Sequence, residues 1–272
     1  MNKLYLFGCS HSEITSGLAE EDFWGDLLAK KLNLQFSPSA GEGKAGTTGC
    51  NVNEIFFDLE TTLMFYPPDE DDVVIWNTSY MLRKMAKGIL IKYKDEIEEG
   101  VLKDFWKPDI VCAFHWFTHT KMGYELLRNR KIETYQWLLD GEREIIDLIK
   151  LTIDSHLDCN LKFEGFAAAT GTTEEALSRE FTCPEQRIFE WFTGTSHIVR
   201  TREEDPSQIN FPNFKEQVKW ENLIRVPDNF NCWNDFILKY PVTSHDGHLS
   251  ADGHHKLADI MYNQINEYRN EK

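Results

Sequence analysis

The chain has 272 residues, 41% of them hydrophobic and 27% charged, a balance that suits one elaborated globular domain or two small ones with a sizeable core and excludes bulk disorder. A formal net charge of -16, with no lysine- or arginine-rich run to reverse it locally, excludes nucleic acid and anionic membrane as natural partners, since a phosphate surface would be repelled. Six cysteines without a Cys-x-x-Cys pair argue against a zinc ribbon or redox dithiol and fit reduced thiols in the cytoplasm.

Lys3 to Phe7 forms a short apolar run, too short for a signal-peptide core or a membrane span, and it reads as a first strand. The run stops at Gly8-Cys9-Ser10-His11-Ser12, after which Phe23, Trp24, Leu27, Leu28 and Leu32 recur at helical spacing. Strand, small-residue turn and helix make the βα unit in which an α/β sheet presents groups at the carboxyl end of a strand. Ser10 is therefore expected at a crevice.

Leu34 to Ser37 reads as a second strand, followed by a loop from Pro38 to Gly49 that carries four glycines. With few side chains in the way, such a loop brings backbone N–H groups close to a ligand. It has no Walker spacing, because Lys44 precedes the last glycine, so nucleotide binding is disfavoured. A helix with Ile55, Phe56, Leu59 and Leu63 follows. Asp72 to Trp76 is a continuous apolar run, as expected of a strand covered on both faces, and it ends at Asn77-Thr78-Ser79.

From Leu82 to Thr120 the periodicity degrades around an aromatic cluster of Phe105, Trp106, Phe114, Trp116 and Phe117, which reads as an insertion or lid with local helix. Tyr124 to Leu157 carries apolar residues at helical spacing, including Tyr135, Leu138 and Leu139, and predicts one long helix or two with a break near Gly141. A strand is expected at Leu161 to Phe166, then helical fragments at Glu174 to Phe181 and Glu185 to Phe192 and a polar stretch around Pro206. Cys232 to Tyr240 reads as a short amphipathic helix with Trp233, Phe236 and Ile237 on one side. No linker interrupts the pattern, so one domain with insertions near 82–120 and 170–230 is the economical reading.

The block His245 to Ala258 holds four of the nine histidines, two carboxylates and two glycines ahead of Leu257, Ile260, Met261 and Ile265, which predict a terminal helix with Ser250 as its N-cap. Asp246 and His248 stand two residues apart on the loop that feeds this helix, a natural place for a general base and its orienting carboxylate. The same block invites a metal reading, but it lacks a His-Glu-x-x-His or comparable spacing, and His254 and His255 would point to different sides of the helix.

Together these are the parts for acyl transfer: a hydroxyl nucleophile, an imidazole held by a carboxylate, and N–H donors for an oxyanion. At this point the chain resembles the SGNH hydrolase family, the GDSL-type esterases and acylhydrolases. Gly8-Cys9-Ser10 is similar to the Gly-Asp-Ser nucleophile block, with cysteine in place of aspartate. Gly49, with Gly46 as the alternative, matches the second-block glycine, and Asn77 matches the third-block asparagine. His248 and the residues to Gly253 keep the family's terminal spacing.

The resemblance implies a three-layer, flavodoxin-like α/β fold around a central, mostly parallel sheet. It further implies a serine esterase or deacetylase without cofactor or metal, acting on a small-molecule ester or an acylated carbohydrate. In that scheme Ser10, His248 and Asp246 are catalytic, and Ser10, Gly49 and Asn77 hold the oxyanion. Large acidic members of this kind also look similar to those carried by bacterial viruses, which would place the protein in a host cytoplasm.

Each residue has a plainer reading beside this one. Ser10 taken alone is a turn residue, Asn77 a cap, and Cys9 a small buried thiol facing away from Ser10. The aromatic cluster of 105 to 117 reads as core before it reads as a sugar platform. The alternative to an esterase is a catalytically silent module that kept the fold for binding or structural use in a larger, viral assembly.

Overall fold

The computed structural model describes residues 2–12, 18–38, 52–81, 110–140, 220–230, 232–242 and 248–271. Within them lie strands β1 (Lys3–Phe7), β2 (Gln35–Pro38), β3 (Val73–Thr78) and β4 (Glu133–Leu138). The helices are α1 (Trp24–Leu32), α2 (Val52–Phe65), α3 (Ile110–Asn129), α4 (Trp233–Lys239) and α5 (Ala251–Asn270). Among the described residues these strands all pair in parallel, in the order β2-β1-β3-β4, the flavodoxin-like arrangement. A parallel bridge from Gln136 to Leu223 extends the sheet beyond β4, with the Gln136 N–H on the Asn222 carbonyl (2.9 Å) and the Ile224 N–H on the Gln136 carbonyl (2.8 Å).

Parallel strands need crossover connections, and right-handed crossovers fix which face each helix covers. The chain moves from β1 to β2 in one direction and from β2 back past β1 to β3 in the other, so α1 and α2 fall on opposite faces. α5 packs against α1, and α3 packs against α2, one pair in each outer layer. Covering on both faces explains the apolar runs of the inner strands: Leu4 to Phe7 and all of β3 are buried.

The core is rich in tryptophan. Trp24, Trp76, Trp116, Trp137 and Trp233 are all fully enclosed, and truncating any one to alanine should cost about 3–5 kcal/mol. Three of the indole N–H groups donate to backbone carbonyls: Trp24 to His11 (2.9 Å), Trp76 to Thr120 (3.0 Å) and Trp116 to Ser79 (2.6 Å). Two of these acceptors, His11 and Ser79, belong to the turns that leave β1 and β3 at their carboxyl ends.

The structure corrects the reading of 124 to 140. The local helix expected within 82 to 120 is found at 110–120, where it opens the 20-residue helix α3, whose buried Ala113, Trp116, Phe117, Thr120, Tyr124 and Leu127 form its inner face. Exposed Met122 and Leu126 hide this periodicity from a hydropathy pattern, because they are apolar too. Gly123 lets the helix approach β3, since a Cβ there would lie 2.4 Å from the Trp76 ring. The expected helix from Tyr124 onward ends at Asn129, where Lys131 takes a positive φ of 61° and the Ile132 N–H returns to the Leu127 carbonyl (3.2 Å).

Tyr135, Leu138 and Leu139 then lie on or just after strand β4. Their spacing of three and four residues imitates a helix, but the strand is buried on both sides. Residues 220–230, placed by sequence within the second insertion, pass along the outer edge of β4. The expected strand at Leu161 to Phe166 and the helical fragments of 174 to 192 lie outside the described residues, as does most of both insertions. Among the described residues no helix is long and apolar enough to cross a membrane.

Candidate active site

In an open parallel sheet the ligand crevice lies where successive crossovers diverge, at the carboxyl ends of the strands. Here that point lies between β1 and β3, which pair in register from Leu4↔Val73 to Phe7↔Trp76. Gly8-Cys9 leads from β1 into a tight 3-10 turn at Ser10–Ser12, closed by the Ser12 N–H on the Cys9 carbonyl (2.8 Å). Ser10 thus opens the turn at the crevice; its side chain lies outside what the structure describes. Cys9 is fully buried, as its expected role as a small enclosed thiol requires.

Asn77, in the last part of β3, is also fully buried. Its Nδ2 donates to the Trp137 carbonyl (3.2 Å), and its Oδ1 is 4.0 Å from the Cys9 sulfur, a weak contact. Because a carbonyl can only accept, the Trp137 contact fixes which end of the amide faces β4. Gly8 is required between the two strand ends: a Cβ there would lie 2.3 Å from Ser12 Oγ and 2.6 Å from Asn77 Oδ1.

The terminal block reaches the same edge. Ser250 caps α5, its Oγ accepting from the Gly253 N–H (3.3 Å) and donating to the Tyr240 carbonyl (3.0 Å). The Ser250 N–H also donates to the Tyr240 carbonyl (2.7 Å), and the Val242 N–H donates to the His248 carbonyl (3.0 Å). These bonds hold the backbone of His248 against the segment from Tyr240 to Val242. Its ring lies 5.3 Å from that of His11, centroid to centroid, with the planes tilted by 40°. The structure thereby brings His248 to the residue that follows Ser10. Asp246 and Gly49, with its alternative Gly46, lie outside the described residues.

Three residues at this edge had no role in the sequence reading. His11 is buried, and its Nε2 is 3.4 Å from the Tyr80 hydroxyl. Asp140, just beyond β4, is a buried carboxylate that accepts the Met81 N–H (2.6 Å) and so ties the end of β4 to the segment that leaves β3. The adjacency of His11 to Ser10 was a usable signal; Asp140 was hidden because β4 was read as helix.

His254, in the first turn of α5, is 2% exposed, and its Nδ1 accepts the Trp24 N–H (3.4 Å). Burial above all, then the nearby His248 and His255, push its pKa down to about 4 against an opposing pull from Asp22. It is a neutral structural imidazole that bridges α5 and α1. His255 instead faces outward to Asp22 (3.1 Å), which bears out the expectation that the two point to different sides. Among the described residues no group of three or more His, Cys, Asp and Glu side chains is placed to hold a metal ion.

No family model matches the sequence, and no curated protein matches it. Among solved structures, a protein from Desulfitobacterium hafniense DCB-2 assigned to the lipolytic G-D-S-L family is similar at 10% identity over 97% of this chain and 99% of that one, with a TM-score of 0.42. A member of the lipolytic G-D-S-L family from Veillonella parvula DSM 2008 is similar at 12% identity over 64% of this chain and 76% of that one, with a TM-score of 0.32.

Proposed function

We propose that the protein is a serine hydrolase that cleaves an acyl ester, of a small molecule or an acylated carbohydrate, at the carboxyl edge of β1 and β3. The observation that carries this reading is the contact of the His248 ring with His11, beside Ser10, at the point where the crossovers diverge. That contact brings a carboxyl-terminal imidazole beside the turn that Ser10 opens.

In this mechanism Ser10 Oγ attacks the carbonyl carbon while the His248 imidazole takes its proton, and Asp246 keeps the imidazole in the required tautomer. The carbonyl oxygen becomes an oxyanion, held by the Ser10 and Gly49 N–H groups and by the Asn77 amide. Nδ2 of Asn77 has two hydrogens, so the one donated to Trp137 leaves a second for the oxyanion. A well-aligned donor contributes about 3 kcal/mol to such a transition state. Collapse expels the alcohol, which takes the proton from His248, and water then releases the acyl group from Ser10 by the same steps.

The test is labelling by a fluorophosphonate probe together with turnover of p-nitrophenyl acetate. Both are expected for the wild-type chain and neither for Ser10→Ala or His248→Ala with the fold retained. A wild-type chain that is inert to both, under conditions where a known esterase reacts, sinks the reading. One observation favours the silent-module alternative: the Asn77 side chain is fully covered, and an oxyanion donor must meet its substrate. An inert wild-type chain would support that alternative.

A further inference from the structure

α2 and α3 lie side by side on one face of the sheet, and their amino-terminal halves assemble a group of side chains that ester chemistry does not use. His115 and His119 are four residues apart on α3 and therefore project from the same side of the helix. Their rings lie 5.8 Å apart between centroids, tilted by 50°. His115 is exposed and His119 half-buried.

Two residues of α2 fix the His119 ring. Phe56 stacks on it at 4.8 Å with the planes 26° apart, and Asn53 Oδ1 is 2.7 Å from its Nδ1. An amide oxygen only accepts, so in the neutral ring Nδ1 carries the hydrogen and Nε2 the lone pair. The ring is thus held in one tautomer and one plane. Metal-bound histidines are usually prepared in the same way, the second nitrogen donating to an oxygen acceptor.

The geometry points to a two-point chelate, His115 and His119, for a divalent first-row transition ion. Paired imidazoles suit Cu2+, Ni2+ and Zn2+, and copper binds the most strongly of the series. Nitrogens that share such an ion each lie about 2.0–2.1 Å from it, and the exposed His115 side chain has the rotamer freedom to close onto the fixed His119. Among the described residues no third ligating side chain joins the group.

The test is calorimetric titration of the purified, untagged full chain with CuSO4, paired with electron paramagnetic resonance of the bound ion. The expected result is one site with nitrogen ligation, a rise in Tm on loading, and loss of both in His115→Ala, whose side chain is exposed and outside the core. Asn53→Ala should weaken binding by about 10–100-fold, because it releases the tautomer of His119. Ser10→Ala should bind copper as the wild type does, which separates this site from the esterase reading. A wild-type chain that binds no copper overturns the proposal. So does a His115→Ala chain that keeps the wild-type isotherm, which would place the bound ion on the terminal histidine block instead.

Discussion

The imidazole rings of His11 and His248 lie 5.3 Å apart, although one residue belongs to the first turn of the chain and the other to the loop before its last helix. This contact can be read as a coupling energy that needs no substrate. Residues in contact show non-additive effects of about 0.5–3 kcal/mol, whereas distant ones add. The double-mutant cycle of His11→Ala and His248→Ala, followed by urea denaturation, should therefore give a coupling in that range. A sum within experimental scatter of the two single effects would mean that the rings do not meet in solution.

Gly8 has a different consequence, because its missing Cβ makes room for Ser12 and Asn77. Gly8→Ala should destabilise the fold by about 1–3 kcal/mol as the two side chains are displaced. Turnover should fall further than stability alone accounts for. Thermal unfolding and p-nitrophenyl acetate hydrolysis, measured on the same preparation, check both parts.

His254 predicts a pH dependence with a definite sign. Its folded pKa of about 4 lies below the ordinary histidine value of 6.5, so the unfolded chain binds the proton more readily. The stabilisation is fully present above pH 6.5 and is lost as the pH falls through about 4, amounting to about 3 kcal/mol across that window. His254→Gln, which keeps an acceptor for the Trp24 N–H and cannot titrate, should flatten this part of the stability profile. An unchanged profile in the variant would assign the acid sensitivity to other groups.

Asp140 accepts the buried Met81 N–H with its carboxylate, a charge-assisted bond across the carboxyl edges of β3 and β4. Asp140→Ala should cost about 1.5–3 kcal/mol, while Asp140→Asn, which keeps an acceptor, should cost less. Hydrogen exchange at Met81 should accelerate in the first variant more than in the second.

The capping of α5 gives a smaller effect. Ser250→Ala removes the acceptor for the Gly253 N–H and the donor to the Tyr240 carbonyl, and about 1 kcal/mol of stability should go with them. Because Ser250 closes the segment that carries His248, activity should also fall, while labelling of Ser10 by an unhindered fluorophosphonate persists at a lower rate.

By itself the sequence determined what depends on neighbours along the chain. The apolar runs of β1 and β3, the turn at Gly8-Cys9-Ser10, the short helix after Cys232 and the Ser250 cap all follow from local periodicity and capping chemistry. Two sequence patterns misled. Exposed apolar Met122 and Leu126 blurred the helical period of α3, and the spacing of Tyr135, Leu138 and Leu139 imitated one in a strand that is buried on both faces, where alternation carries no signal.

Only the tertiary structure decided which strands adjoin, and hence that β1 and β3 flank the crevice. It also decided that His11 meets His248 and that Asn53 of α2 orients His119 of α3. Those relationships arise from crossover handedness and from the packing of helix layers. Such forces act between residues far apart in the chain and leave no local periodicity to read.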